Sequence, residues 1–345
     1  MDSTILLFLL QDGVTNGAIY ALLALALVLV FAVTRVILVP QGEFVTYGAL
    51  TLAVLDLGKV PGTVGLLVVF AALALAVEVW ASRKRLSLKL AGRLALFYVL
   101  PPLVIAALAW WLAPLQLGPL PQALLAIAIV APMGPYLYRI AFQPLSEASI
   151  LVLLIAAVGA HFSMTGLCLL FFGPEGLRAK PLVTASFTAG PLPVSGQSIA
   201  IYLAALGLML ALYVFFDRTI LGKALRATAV NRLGARLVGV RTALSGQLAF
   251  LIAAAIGALS GVLIAPVTTV FYDSGFLIGL KGFVAAIVGG LVSYPLAAAA
   301  AVFVGIVEAF ASFWASSFKE IIVFMIIIPV LLVRSLTTTH TEDEE

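Results

Sequence analysis

The sequence predicts an all-α fold, a polytopic membrane bundle of about eight to eleven transmembrane segments with a short amphipathic helix on the cytoplasmic side. Three observations predict it. Of 345 residues, 63% are hydrophobic and 10% charged, with a mean hydropathy of +1.22; so little polar side chain cannot cover a water-exposed surface, so lipid has to be the solvent. A helix crosses the hydrocarbon core with about 20 apolar residues, and about eleven runs approach that length. None shows the period-two alternation of a lipid-facing barrel strand.

The runs fall at 14–33, 37–57, 63–81, 94–113, 121–138, 149–171, 198–216, 243–265, 277–293, 295–315 and 320–334. Between them the basic residues collect in two connections. One holds Arg83, Lys84, Arg85, Lys89 and Arg93; the other, 217–241, holds Arg218, Lys223, Arg226, Arg232, Arg236 and Arg241 against Asp217 alone. Basic loops stay in the cytoplasm, so both are expected there. The net charge of +4 is therefore a topology signal and not a nucleic-acid footprint. Threading the spans through both loops puts Arg35 and Arg139 inside, the Pro-, Gly- and Ser-rich loop 172–197 outside, the N-terminus outside and the C-terminal tail 336–345 inside. The opening MDSTILLFLLQDG has neither a basic n-region nor a small-residue cleavage site and is expected to remain in place.

Enzymatic constellations are missing from the sequence. It has no G-x-x-x-x-G-K-[ST] phosphate loop, HExxH, GxSxG or Cys/His cluster, so no catalytic residue and no metal site are expected. Cys168 reads as a small buried hydrophobe, and His161, inside an apolar run, as a packed, hydrogen-bonded core residue.

The segment LGKALRATAVNRLGARLVGV at 221–240 repeats apolar residues at i+4 through Leu225, Ala229, Leu233 and Leu237, with arginines between them and Gly222 and Gly239 near its ends. One amphipathic helix is expected there. It is either a coupling element that docks on a partner ATPase or a basic juxtamembrane helix that fixes topology and touches anionic lipid.

This segment resembles the coupling region of the branched-chain amino acid ABC importer permeases, at Gly222, Arg226, Ala227, Asn231, Arg232, Ala235, Leu237, Gly239 and Val240. Upstream, NGAIYALLALALVLVFAVTRVILVPQGEFVTYGAL at 16–50 is similar to the family's N-terminal block, with Asn16, Gly17, Tyr20, Arg35, Gly42 and Glu43 at matching places. Downstream, AAIGALSGVL at 254–263, KGFVAAIVGGLVSYP at 281–295 and GIVE at 305–308 match as well. The first block resembles the smaller of the family's two permease types, the LivH-type subunit. Leu38, Val39, Pro40 and Gln41 depart from it, standing where relatives carry Asn-Phe-Ala-His, and the apolar pair around 94–138 exceeds the family's usual length.

The resemblance implies a single permease domain over 1–345 that partners a second permease subunit, two cytoplasmic ATPases, an extracytoplasmic solute-binding protein and membrane lipid, with no nucleic acid. It implies no cofactor on this chain, ATP and magnesium belonging to the ATPases. The implied cargo is a branched-chain or related hydrophobic amino acid; the rivals are a urea or short-amide importer, a self-powered secondary transporter and a scaffold without a pathway.

Pathway candidates are charged or broken places in the apolar runs. Asn16 and Tyr20 come from the first block. Pro40-Gln41-Gly42-Glu43 is expected to interrupt a helix, as a gate or an interfacial turn, because Pro lacks an N–H. Lys281, about 7 Å from the outer face, and Glu308, about 20 Å up a core about 30 Å thick, fall at matching depths and are expected to pair as a staple or an outer gate, with charge reversal at both restoring what either single change loses. Glu78 is expected to snorkel toward the Arg83 cluster. Gly257, Ser260, Gly261, Gly289 and Gly290 are expected to seam helices together. Gly222, Arg226, Ala227, Asn231, Arg232, Leu237 and Gly239 are the ATPase-coupling candidates.

Overall fold

Apolar runs become helices because a membrane offers the backbone no other hydrogen-bond partner. A computed structural model describes residues 3–83, 88–189, 192–291 and 293–337. In chain order the helices are α1 (Ser3–Thr34), α2 (Gln41–Asp56), α3 (Thr63–Ser82), α4 (Leu88–Tyr98), α5 (Leu100–Leu112), α6 (Pro119–Val130), α7 (Met133–Leu137) and α8 (Ile150–Phe172). A hairpin of β1 (Ser186–Ala189) and β2 (Leu192–Ser195) follows. Then come α9 (Gly196–Arg218), α10 (Ile220–Val230), α11 (Arg232–Leu237), α12 (Thr242–Ile264), α13 (Ser274–Val288), α14 (Tyr294–Trp314), α15 (Lys319–Met325) and α16 (Ile327–Thr337). Among the described residues nine helical stretches are long and apolar enough to cross a membrane. The tail beyond 337 and Lys84 and Arg85 of the first basic connection lie outside the described residues.

Two of the eleven expected spans are shorter than a bilayer. The run at 37–57 yields α2 with 16 residues and that at 277–293 yields α13 with 15, about 24 and 22 Å long against a core of about 30 Å. Both are buried. Gln41 Nε2 donates to the Ala253 carbonyl at 3.0 Å, about three turns into α12. Farther along, Gly257 meets Phe44, and Gly261 meets Val45 and Ala49, so α2 runs parallel to α12 but starts halfway along it. From the other direction α13 crosses antiparallel, with Gly275 and Gly279 against Gly42.

The helix break lies at 35–40 and not at 40–43. Arg35 takes φ 61° after Thr34, ending α1. Val36, Ile37 and Val39 are β-branched, and Pro40 disfavours helix at the residue before it. Gln41, Gly42 and Glu43 already form the first turn of α2, for which Pro40 is the N-cap. The extended stretch is tolerated because protein covers it: Val36 and Leu38 are buried, and their neighbours bond locally, Val39 N–H to the Ile37 carbonyl at 2.9 Å and Gln41 N–H to that of Leu38 at 3.1 Å.

The core is α1 with α2. From Ala18 to Val30 every residue of α1 is buried, beneath α9, α12, α13 and α14. By contrast α3, α5, α8 and α9 expose Val69, Leu73, Trp110, Trp111, Phe162, Leu206 and Leu210, as helices do whose outer face meets lipid. The expected seams at Gly257, Gly261 and Gly289 are present, the last against Ala297. Gly290, at φ 88°, instead turns the chain between α13 and α14. A further tight seam joins α14 to α1: a Cβ at Gly305 would land on the Gly13 carbonyl and the Gly17 backbone.

The loop 172–197 is more ordered than a Pro- and Gly-rich cap need be. It carries the hairpin, and its Leu177 pairs with Val270 in a β-bridge. Arg178 donates to the Pro266 carbonyl at 2.9 and 3.0 Å, Lys180 N–H to Asp56 Oδ2 at 2.8 Å, and Gln197 Nε2 to the Leu263 carbonyl at 2.8 Å. These bonds tie it to the ends of α2 and α12.

Overpacking a tight helix seam costs about 1–3 kcal/mol, whereas a glycine in open helix gains from a methyl group. Gly305→Ala should therefore lower the thermal midpoint of the purified chain in detergent, and Gly166→Ala, with nothing within 4 Å of the added atom, should leave it level or raised. Equal midpoints would remove the α1–α14 seam from this account.

Candidate functional site

A charge held inside a membrane bundle costs about 2.5 kcal/mol or more on insertion scales, so the internal charges mark the candidate site. Four helices bring the first group together. Lys281 Nζ on α13 lies 2.5 Å from Glu308 Oε1 on α14 and 3.1 Å from Glu320 Oε1 on α15. Tyr20 on α1 donates its hydroxyl to Glu308 Oε2 at 2.6 Å. Lys281, Glu308 and Tyr20 are all buried.

The cluster forms the inner end of a cavity of about 1160 Å3 also lined by Asp12, Asn16, Arg178 and Lys319. The cavity lies beneath the 172–197 cap, whose Arg178 and Ser195 are part of its wall. Beyond the cluster α1 is closely packed: Leu22, Leu23 and Ala24 are fully buried and Leu23 lies against Gly282 of α13. The cavity is thus bounded on its inner side by close packing of α1 against α13. Of the expected pathway residues, Asn16, Tyr20, Lys281 and Glu308 meet here; Gln41, Gly42 and Glu43 do not.

Those three sit at the start of α2 and form a second group. Glu43 Oε1 lies 2.9 Å from His161 Nδ1 on α8, and Phe276 of α13 stacks on the imidazole with centroids 4.7 Å apart. Thr165 Oγ1, one turn on, donates to the His161 carbonyl at 3.0 Å, and Tyr47 donates its hydroxyl to the Met164 carbonyl at 2.7 Å. Leu153, Ala157, His161, Met164 and Cys168 are the buried residues of α8, a narrow stripe at helical spacing. His161 is therefore a packed, bonded core residue, but its partner is a carboxylate 118 positions away, which the residue pattern did not reveal. Glu43 Oε2, Gln41 Oε1 and Thr46 Oγ1 are buried without a hydrogen-bond partner among the described residues.

Glu78 is placed differently from the expectation. It pairs with Arg139 at 2.5 Å, while Arg83 lies over the Trp80 ring at 5.3 Å. A fixed cation across the helix interface is a nearer partner than a snorkelling path to the loop.

The basic segment 221–240 is two helices and not one. Asn231 takes an extended conformation and its side chain accepts from the Gly234 N–H at 2.8 Å, capping α11 and ending α10. The i+4 stripe divides there: Leu225 is buried and Ala229 half-buried, while Leu233 and Leu237 are exposed, as are Arg226 and Ala227. Gly222 lets α10 fold onto the end of α9, since a Cβ there would meet the Phe215 carbonyl. Gly239, at φ 88°, turns the chain toward α12. Arg232 Nη1 donates to the Ser146 carbonyl at 3.0 Å, and Arg236 reaches Thr242 at 3.0 Å and Glu147 at 3.3 Å, bracing α11 against the turn before α8.

The family model described as "Branched-chain amino acid transport system / permease component" matches residues 9–333. The high-affinity branched-chain amino acid transport system permease protein LivH of Escherichia coli K12 is 31% identical over 215 residues, which cover 60% of this chain and 70% of that protein. Its counterpart BraD from Pseudomonas aeruginosa is 30% identical over 235 residues, 65% of this chain and 76% of that protein. LivH of Salmonella typhimurium is 31% identical over 215 residues. No solved structure matches the chain.

Glu320 alters the expectation for charge reversal. With Lys281→Glu and Glu308→Lys together, the new carboxylate would stand against Glu320, so the double reversal should remain defective. Removing one partner of a buried ion pair costs about 3–5 kcal/mol. Lys281→Met should accordingly lower the folded yield and thermal midpoint sharply, and Lys281→Met with Glu308→Gln should recover part of the loss. A wild-type midpoint for Lys281→Met would show that the cluster holds nothing together.

Proposed function

The chain belongs to the family of permease components of branched-chain amino acid transport systems, and from that membership we propose that it is the pore-forming permease of an ABC importer, moving a branched-chain or related hydrophobic amino acid. Solute arrives from an extracytoplasmic binding protein, and a second permease completes the pathway. Two cytoplasmic ATPases, holding ATP and magnesium, supply the energy; this chain supplies no catalytic group.

One observation supports the reading above the others: the cavity with its charged inner end and the arginine-rich pair α10–α11 lie at opposite ends of the bundle. In this reading the cap 172–197 and the N-terminus face outward, and α10, α11 and the C-terminal tail face the cytoplasm. The Tyr20–Glu308–Lys281–Glu320 cluster acts as the inner limit of an outward-open vestibule. The exposed Leu233 and Leu237 dock on an ATPase, and Arg232 and Arg236 pass the movement of α11 to the turn that starts α8. Closure of the ATPases then shifts the bundle between two states, which requires that the docked partner bind those states unequally. At the start of α2, Gln41, Gly42 and Glu43 form the hinge region of that shift.

The test is uptake into proteoliposomes holding this chain with its ATPases, second permease and binding protein. Leucine uptake should require ATP and should fall about tenfold in Leu237→Asp, the size of an ordinary coupling energy, while the variant chain keeps its thermal midpoint. Uptake of urea or a short amide in preference to leucine would replace the cargo. Accumulation driven by an ion gradient without nucleotide would replace the mechanism, and no flux of any solute would leave a scaffold.

A further inference from the structure

A second cavity, separate from the vestibule, opens at the arginine-rich end of the bundle. It is a groove of about 670 Å3 between the last turns of α1 and α9, the start of α14 and the face of α10. Its walls are apolar, from Leu29, Leu212, Phe216, Ala229 and Ala298 among others, and among the described residues no acidic side chain lines it. Two guanidinium groups do, Arg35 and Arg226. Both are exposed, and neither has a hydrogen bond or a carboxylate partner among the described residues. That separates them from Arg139, Arg218, Arg232 and Arg236, which are all engaged.

The groove is also continuous with the lipid-facing side of α9. Leu206, Leu210 and Tyr213 are exposed and share one helix face, and Tyr213 belongs to the groove wall. A hydrocarbon chain lying along α9 can therefore enter the groove without leaving the apolar layer, whereas a soluble peptide would have to cross that layer to reach it. Two unpaired cations at the mouth of an apolar slot, at the level where a leaflet carries its headgroups, match a molecule with an anionic head and a long apolar tail.

We propose that this groove is a binding site for one anionic phospholipid, its phosphate held by Arg35 and Arg226 and an acyl chain lying against α1, α9 and α14. The occupant touches α10 through Arg226 and Ala229. It also touches Arg35, where α1 gives way to the extended stretch before α2. The site thus joins α10 to the extended stretch after α1, and the leaflet composition bears on both.

Native mass spectrometry of the full chain in mild detergent tests this, with phosphatidylglycerol and phosphatidylcholine of identical acyl chains titrated separately. At about fivefold per basic group near the headgroup, the first phosphatidylglycerol adduct should form at about 25-fold lower lipid than the first phosphatidylcholine adduct. Arg35→Gln with Arg226→Gln should abolish the preference, and the Lys versions of both should keep it. Ala298→Trp, which fills the slot, should remove the tight adduct while the arginines remain. A preference that survives the double Gln variant, or an adduct unaffected by Ala298→Trp, overturns the site. Displacement of the adduct by inorganic phosphate at the same concentration reassigns it to a free anion, and displacement by a glutamate-rich peptide reassigns it to a protein partner.

Discussion

A backbone that leaves its helix inside a bilayer has no water to bond with, so it survives only where protein surrounds it. In this chain the stretch 35–40 does so, and the arrangement of the other helices follows from the need to cover it. The helix after it, α2, begins at mid-depth and is buried on every side, by α12 along its length, α13 across its start, and α6 and α8 on the remaining faces. Close packing on all sides demands small residues, which is why Gly42, Gly48, Gly257, Gly261, Gly275 and Gly279 all lie at contacts of α2 with its neighbours. The outer helices can be exposed and plainly apolar because they need only cover this interior and face lipid.

Internal charges then fix which neighbour each helix has. Glu43 with His161 joins α2 to α8; Lys281 with Glu308 and Glu320 joins α13 to α14 and α15; Glu78 with Arg139 joins α3 to the irregular turns after α7. A buried ion pair is weak as a source of net stability, but a mismatched partner is costly, so such pairs discriminate among the many ways apolar helices can pack. For α8 this matters most, since only a narrow stripe of it is buried and His161 is at its centre.

What could be read from the residues divides by range. Long apolar runs located the nine long helices because hydropathy is a property of each run alone. The same signal overstated α2 and α13, because Val36–Val39 are as apolar as a helix and hydropathy does not record where along the bilayer a helix begins. The i+4 stripe through 221–240 ran straight across Asn231, since periodicity is blind to a side chain that caps; an Asn ahead of Arg-Leu-Gly was the local sign of the break. Lys281 and Glu308 were pairable because each lies on a helix whose depth can be counted from one face of the bilayer, and the two depths nearly coincide. Glu320 enters from the next helix, beyond a 3-10 turn that the counting did not include. Glu43 and His161, far apart in sequence, had no common reference, and only the fold shows that they meet. The proposed roles of Asn16, Tyr20 and the coupling residues rest on resemblance, with geometry now attached to each.

The crossing of α2 and α13 near their beginnings has an electrostatic side. Each helix begins with N–H groups that together carry about half a positive charge, and here the buried start of α2 lies against the start of α13. Glu43, in the first turn of α2, and Asp273, the residue before α13, stand at that convergence. The two helix starts therefore add their positive ends at one place, where Glu43 offsets them from the buried side and Asp273 from the exposed side. Any motion that separates α2 from α13 would uncover that field to whatever polar group lies nearest.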